Sequence, residues 1–280
     1  MSTLPPETEI GRVGLRVTSL EETIDFYTEV VGLVVQSRTA DRAELGAGET
    51  TLLVLCADPD AEQRSPDSAG LFHVAVRVPS KAALGAVLRR IQDRWHLDGA
   101  SDHHVSEALY LTDPEGNGVE IYYDRPRESW PTTADGRIEM ATLPLSLGDL
   151  RSTADDADPE TVPPETDIGH VHLEVTDFGA FRSFYVDTLG FDIRQEMDRQ
   201  ALFLAAGGYH HHVGANTWNH RRRPADGECG LAWYEISVPD VESLRRRLDS
   251  TGVSVRRLAT GIEVTDPDGM VVRIVPAEGR

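Results

Sequence analysis

His103, Tyr110 and Glu120 are the residues of this chain whose types and spacing point most directly to chemistry. An imidazole that exchanges protons, a phenol that donates a hydrogen bond and a carboxylate that can hold a cation fall within one stretch, HHVSEALYLTDPEGNGVE, and suit oxygen chemistry on a metal. Asp113-Pro114-Glu115-Gly116-Asn117-Gly118 reads as a tight turn, because Pro presets φ and Gly and Asn tolerate positive φ. Leu111 before it and Val119 to Tyr123 after it are then two strands of a hairpin. Side chains alternate along a strand, so Glu120 and Tyr122 share the face opposite Val119, Ile121 and Tyr123, and Glu120 is expected to point into the cavity that the sheet lines.

The elements that must position these groups come from an internal repeat. PPETEIGRVGLRV, Pro5 to Val17, recurs as PPETDIGHVHLEV, Pro163 to Val175. Each copy leads into a helical run, Ser19 to Leu33 and Asp177 to Phe191, with Ser19 and Glu22 as a capping box, Asp177 as an N-cap, and Gly32 and Gly190 where helices end. Each copy is doubled again: the apolar run Leu71 to Val78 precedes a helix from Ser80, and Leu231 to Val238 precedes one from Asp240. Asp113-Pro114-Glu115-Gly116 returns as Asp266-Pro267-Asp268-Gly269. The expectation is an α+β chain of four βαβββ units paired into two domains, at 1–124 and 167–280, with a linker at 125–166. Asp155-Asp156-Ala157-Asp158 reads as solvated linker, and Trp130 with Met140 to Leu150 as a short helical stretch packed on one domain.

The chain has 280 residues, which fits two domains on length, and 40% apolar residues, enough for packed cores. Its formal net charge is −20 and Lys81 is its only lysine, so phosphate backbones and anionic membranes are poor partners. That composition resembles proteins of salt-in halophiles. Two cysteines, Cys56 and Cys229, no secretory signal in MSTLPPETEI and no long apolar window lead to the expectation of a cytoplasmic protein.

The stretch from His103 to Glu120 resembles the extradiol dioxygenase motif: a His, an aliphatic-Tyr pair (Leu109-Tyr110), Asp113-Pro114, Gly116 and then Glu120, with Ser101 as the one departure. With the "FY…VGL" and "FY…LGF" phrases it resembles the vicinal oxygen chelate family of glyoxalases, bleomycin-resistance proteins and extradiol dioxygenases. The run Gly207 to Trp218, GGYHHHVGANTW, is similar to two-domain catechol 2,3-dioxygenase-like members. The resemblance implies cup-shaped mixed sheets with ligands on the first strand of each unit and near the last strand of the second. Counting from helix starts and from the Asp-Pro turns, the corresponding positions are Arg12, His73, Glu120, His170, Trp233 and Arg273.

The resemblance implies a ring-cleaving dioxygenase for catechol-like aromatics and O₂, with Fe(II) as cofactor and Mn(II) or Zn(II) as alternatives. His103 would serve as acid/base and Tyr110 as hydrogen-bond donor, with His73 and Glu120 as ligands. The N-terminal copy, however, has Arg12 where the other His belongs, and arginine cannot ligate. Two further readings stay open. In one, Arg12 neutralises Glu120 in a metal-free binding protein, with His104 as a disfavoured replacement ligand. In the other, the metal lies in the C-terminal copy on His170 and His212, supported by His172, His210 and Glu235, while His211 points away. A homo-oligomer is compatible with all three readings. Arg221-Arg222-Arg223 reads as a solvated loop, with anion binding as the alternative, and His96 as structural.

Overall fold

The computed structural model describes residues 4–133, 138–154 and 160–277. The acidic run Asp155 to Asp158 lies outside the described residues. Four units follow one another. The first holds β1 (Glu9–Val17), α1 (Leu20–Asp25), β2 (Val34–Arg38), β3 (Arg42–Ala47) and β4 (Thr50–Ala57). The second holds β5 (Gly70–Arg77), α2 (Lys81–Arg94), β6 (Gly99–Asp102), β7 (Ser106–Thr112) and β8 (Gly118–Asp124), and the connection carries β9 (Leu143–Pro144) and α3 (Leu147–Ser152). The third holds β10 (Asp167–Glu174), α4 (Phe178–Arg182), β11 (Asp192–Met197), β12 (Ala201–Ala205) and β13 (Val213–Asn216). The fourth holds β14 (Gly230–Val238), α5 (Val241–Thr251), β15 (Arg256–Arg257), β16 (Ile262–Thr265) and β17 (Val271–Pro276).

Local sequence sets the helix starts. Ser19, Ser80, Asp177 and Asp240 each accept a hydrogen bond from the backbone N–H three residues on, satisfying a donor that the first helical turn leaves open. In the first and third units the α-helical turn runs into a π-helical one, Phe26–Val31 and Ser183–Leu189, ended by Gly32 and Gly190 in the left-handed region at φ 91° and 99°.

The sheets do not follow the contiguous halves expected at 1–124 and 167–280. One sheet has the order β15-β16-β17-β14-β1-β4-β3-β2, and the other β11-β12-β13-β10-β5-β8-β7-β6-β9. The fourth unit therefore pairs with the first and the third with the second, through antiparallel β1–β14 and β5–β10 ladders. The two cups, of two units each, draw one unit from each half. Units adjacent in sequence are tied in a different way. Tyr27 donates to Asp113 at 3.2 Å, and Glu115 accepts from the backbone N–H groups of Thr18 and Ser19 at 2.7 and 2.9 Å. The second copy repeats this tie, with Tyr185 donating to Asp266 at 3.0 Å and Thr176 to Asp268. The tyrosine of each "FY" phrase thus anchors the Asp-Pro turn of the next unit, and one continuous apolar core runs beneath both sheets.

Burial pushes the Asp266 carboxyl up to about 7, against the hydrogen bonds from the Met270 N–H, Tyr185 and the Asp268 N–H. Its folded-state value lies above the unfolded one, so between about pH 4 and 7 the folded chain keeps a proton that the unfolded chain releases, and stability falls as pH rises through that window. Asp266→Asn removes this contribution. Stability measured by urea unfolding should fall less steeply with pH in the variant than in the unmodified protein, by at most about 1.4 kcal/mol per pH unit; parallel profiles would refute the assignment.

Candidate metal centre

Register across the second sheet assembles the centre. His170 on β10 lies opposite Ala75 on β5, Ala75 opposite Glu120 on β8, and Glu120 opposite Tyr110 on β7. His73 is two residues from Ala75 and faces the same side. Ala75 puts only a methyl group in the middle of the row, packed beside Ala108 and Tyr122. Two irregularities aim the histidines: the β5–β10 ladder shifts register between Ile168 and His170 and again between His172 and Leu173. Bulges of this kind redirect a side chain without ending the sheet. Gly169 is required at the first of them, since a Cβ there would fall on the Tyr122 hydroxyl.

His73 Nε2 lies 3.0 Å from Glu120 Oε2, His170 Nε2 lies 3.2 Å from the same oxygen, and the two Nε2 atoms are 3.3 Å apart. All three residues are buried, and their donor atoms fall within 4.8 Å of one another. Two imidazoles and one carboxylate converging on one point are the donor set of a non-haem Fe(II), Mn(II) or Zn(II) site that leaves positions open for other ligands. The protonation states fit that role. Burial pushes His170 down to about 4, so it is neutral at pH 7. Burial opposes ionisation of Glu120, but His170 and His73 outweigh it and hold the carboxyl well below the usual range. His170 Nδ1 is buried with no hydrogen-bond partner, and its ring lies 4.0 Å from that of His211.

His103 and Tyr110 sit beside this set. His103 Nδ1 lies 2.6 Å from the Ala141 carbonyl oxygen, which can only accept, so the proton is on Nδ1 and Nε2 is left to accept from the Tyr110 hydroxyl at 2.6 Å. The Tyr110 ring is 5.9 Å from that of His73. Burial raises the Tyr110 phenol well above its ordinary value, with the Glu120 charge adding to the effect, so it stays a donor at neutral pH.

The remaining sequence candidates divide. Arg12 does not meet Glu120; it lies in the other sheet and pairs with Glu235, Nη2 to Oε1 at 2.7 Å. Glu235 is therefore not part of the histidine cluster. His172 faces the centre with its ring 4.9 Å from that of His73, but stands outside the set of converging donors. His212 stands outside it too, since its Nδ1 accepts the Ala206 N–H at 3.2 Å. His210 binds Asp124 at 2.9 Å and His211 at 2.7 Å. The expected alternation in this run fails because β13 begins only at Val213, and His211, expected to point away, lies against His170. His104 sits at φ 68°, with its N–H bound to Asp102, and supplies no ligand. Sequence reasoning placed Tyr122 on the Glu120 face, turned His211 the wrong way and missed Ala75. Gly169, directly before His170, was the one local sign of close packing there.

The Glyoxalase/Bleomycin resistance protein/Dioxygenase superfamily model matches residues 9–121 and 167–274. The chain is 38% identical over 275 residues to a protein named catechol-2,3-dioxygenase from Bacillus subtilis, covering 95% of this chain and 96% of that one. It is 25% identical over 206 residues to a metapyrocatechase of Geobacillus stearothermophilus, covering 71% of this chain and 56% of that one. Among solved structures, a putative dioxygenase from Bacillus subtilis shares the fold at a TM-score of 0.67 and 14% identity, over 97% of this chain and 86% of that one. Glyoxalase I from Zea mays shares it at 0.60 and 17%, over 96% and 92%. With both halves matched and a relative aligned nearly end to end, the chain belongs to the glyoxalase, bleomycin resistance protein and dioxygenase superfamily.

Proposed function

We propose that the protein is an extradiol ring-cleaving dioxygenase acting on a catechol-like substrate with O₂, and that Fe(II) is held by His73, His170 and Glu120. The observation that carries this reading is the convergence of His73 Nε2, His170 Nε2 and Glu120 Oε2 in a buried cup. The name of the Bacillus subtilis relative supports the same reaction class. When bound, Fe(II) supplies open positions for the two diol oxygens and O₂ and a route for electrons between them.

The chain's own residues do the rest. His103, held in the Nδ1–H tautomer by Ala141, takes a proton from an incoming diol hydroxyl at Nε2 and returns it after the ring carbon–carbon bond breaks. Tyr110, displaced from His103 by the substrate, turns its O–H to the deprotonated oxygen. The rings of Phe72, His172 and Trp218 pack against one another beside His73. The pairing of Arg12 with Glu235 leaves the metal-free reading without its charge partner at Glu120. An acidic, lysine-poor surface and two free thiols support a reducing, salt-rich cytoplasm, and among the described residues no helix is long and apolar enough to cross a membrane.

Metal content after anaerobic Fe(II) loading at high salt should drop to background in both His73→Ala and His170→Ala, and should persist in Arg12→Ala. Full iron in either histidine variant would overturn the assignment. His103→Gln should retain iron while lowering kcat/KM for catechol by roughly 10²- to 10⁴-fold, and unchanged turnover in that variant would remove His103 from the reaction.

A further inference from the structure

The connection between the halves supplies the Ala141 carbonyl oxygen, 2.6 Å from His103 Nδ1. Ala141 lies in no strand or helix, so what holds its backbone decides how firmly the His103 tautomer is set. On its C-terminal side, β9 pairs with β6, Leu143 opposite Asp102 and Pro144 opposite Ser101. On its N-terminal side the hold comes from across the cup. Met140 donates its backbone N–H to Gln195 Oε1 at 3.2 Å, and its carbonyl oxygen accepts from Gln195 Nε2 at 3.2 Å. The Gln195 carboxamide thus pairs with the Met140 backbone as a neighbouring strand would. Gln195 belongs to β11 and Met140 lies just before β9, and these strands are the opposite ends of the nine-stranded sheet. One side chain therefore closes the curled sheet on itself, directly beside the residue that sets His103.

Gln195 reaches inward because of a bulge. β11 shifts register against β12 between Ile193, opposite Leu204, and Gln195, opposite Phe203. Leu204 is in the apolar core, whereas the Phe203 ring lies 5.7 Å from that of His172 and 5.1 Å from that of His211. The extra residue moves β11 from the core phase to the cup phase, so Gln195 shares the face of Phe203. The first copy has the same bulge, between Val35 and Ser37. Counting from the helix stops Gly32 and Gly190, Ser37 stands at the position of Gln195, and it bonds Glu44 on the neighbouring strand. The bulge belongs to the scaffold common to both copies, and the glutamine only to the cup with the metal donors. The Met140 side chain packs independently against a cluster of Val105, Trp130, Ile138, Ala205 and Tyr209. Apolar packing docks this segment, and the carboxamide sets the level of its backbone.

We propose that Gln195 is a positioning residue for His103: it fixes the Met140 backbone, Ala141 carries that placement to its carbonyl, and the carbonyl keeps the proton on Nδ1. The use made of His103 rests on the ring-cleaving reading of the cup. Without the carboxamide, Nδ1–H loses its fixed acceptor and the ring divides between tautomers, of which the Nε2–H form cannot take a diol proton. The test reads the two ring-nitrogen NMR shifts of His103 in the isotope-labelled full chain loaded with Zn(II), a diamagnetic ion for the same donor set. His103→Gln identifies the signals by their loss. The unmodified protein should show a protonated Nδ1 and a bare Nε2. In Gln195→Met, which keeps the side-chain length and removes both hydrogen bonds, the two shifts should move toward each other. With Fe(II), kcat for catechol should fall in that variant by roughly 10- to 10²-fold at unchanged KM and iron content. Ser37→Ala, at the matching bulge of the other copy, should leave both readouts unchanged. Unaltered nitrogen shifts in Gln195→Met would overturn the proposal, and so would loss of bound metal, which would make the contact a support of the whole cup. Failure of the unmodified protein to open catechol would count against the ring-cleaving reading alone, because the nitrogen shifts still decide what Gln195 does to His103.

Discussion

The antiparallel pairing of β5 with β10 is the constraint on which the candidate centre depends. It joins one strand from each half of the chain, placing His172 opposite His73 and His170 opposite Ala75. Neither half holds a complete donor set: His73 and Glu120 come from one, His170 from the other. The two register shifts in this ladder turn imidazoles from neighbouring strands toward one carboxylate oxygen, and β8, parallel to β5, supplies that oxygen at the matching level.

The duplication that built the fold left its two cups chemically unlike. In the repeat, Arg12 and Gly14 stand where His170 and His172 stand in the second copy. Around Arg12 the first sheet offers Glu235, which takes its guanidinium in two hydrogen bonds. Arg273, the counterpart of Glu120, lies over the Trp233 ring at 4.0 Å, and that indole occupies the space a side chain at Gly14 would need. Paired charges and stacked rings fill the cup where the other gathers metal donors. The ties between sequence neighbours are the same in both copies, Tyr27 to Asp113 and Tyr185 to Asp266, so the scaffold was kept while the two interiors diverged.

Charge is partitioned sharply between surface and interior. The exterior is strongly acidic, whereas the second cup is lined by imidazoles, of which burial holds His172 and His211 well below their ordinary range. At one end, Arg77 bridges Asp124 and Asp167 while Tyr209 and Tyr122 share a hydrogen bond at 2.8 Å. At the other, Arg64 and Arg221 converge on Glu174. Ion pairs tie both ends, and the second lies beside a cavity that Glu115 also lines.

The sequence by itself determined the units and their local anatomy. The repeat, the capping residues, the glycine stops and the Asp-Pro turns are short-range signals, and each element formed where they placed it. His103, Tyr110 and Glu120 were legible for the same reason, since a hairpin fixes their mutual placement through strand alternation and one turn. Which units share a sheet was decided only in the tertiary structure, because pairing between strands about a hundred residues apart leaves no local signature. That pairing brings the His170 donor atom within 4.8 Å of those of His73 and Glu120, and it puts Arg12 in the other cup with Glu235 as its partner. His212 fell outside the set because alternation holds only within a strand, and β13 starts one residue too late.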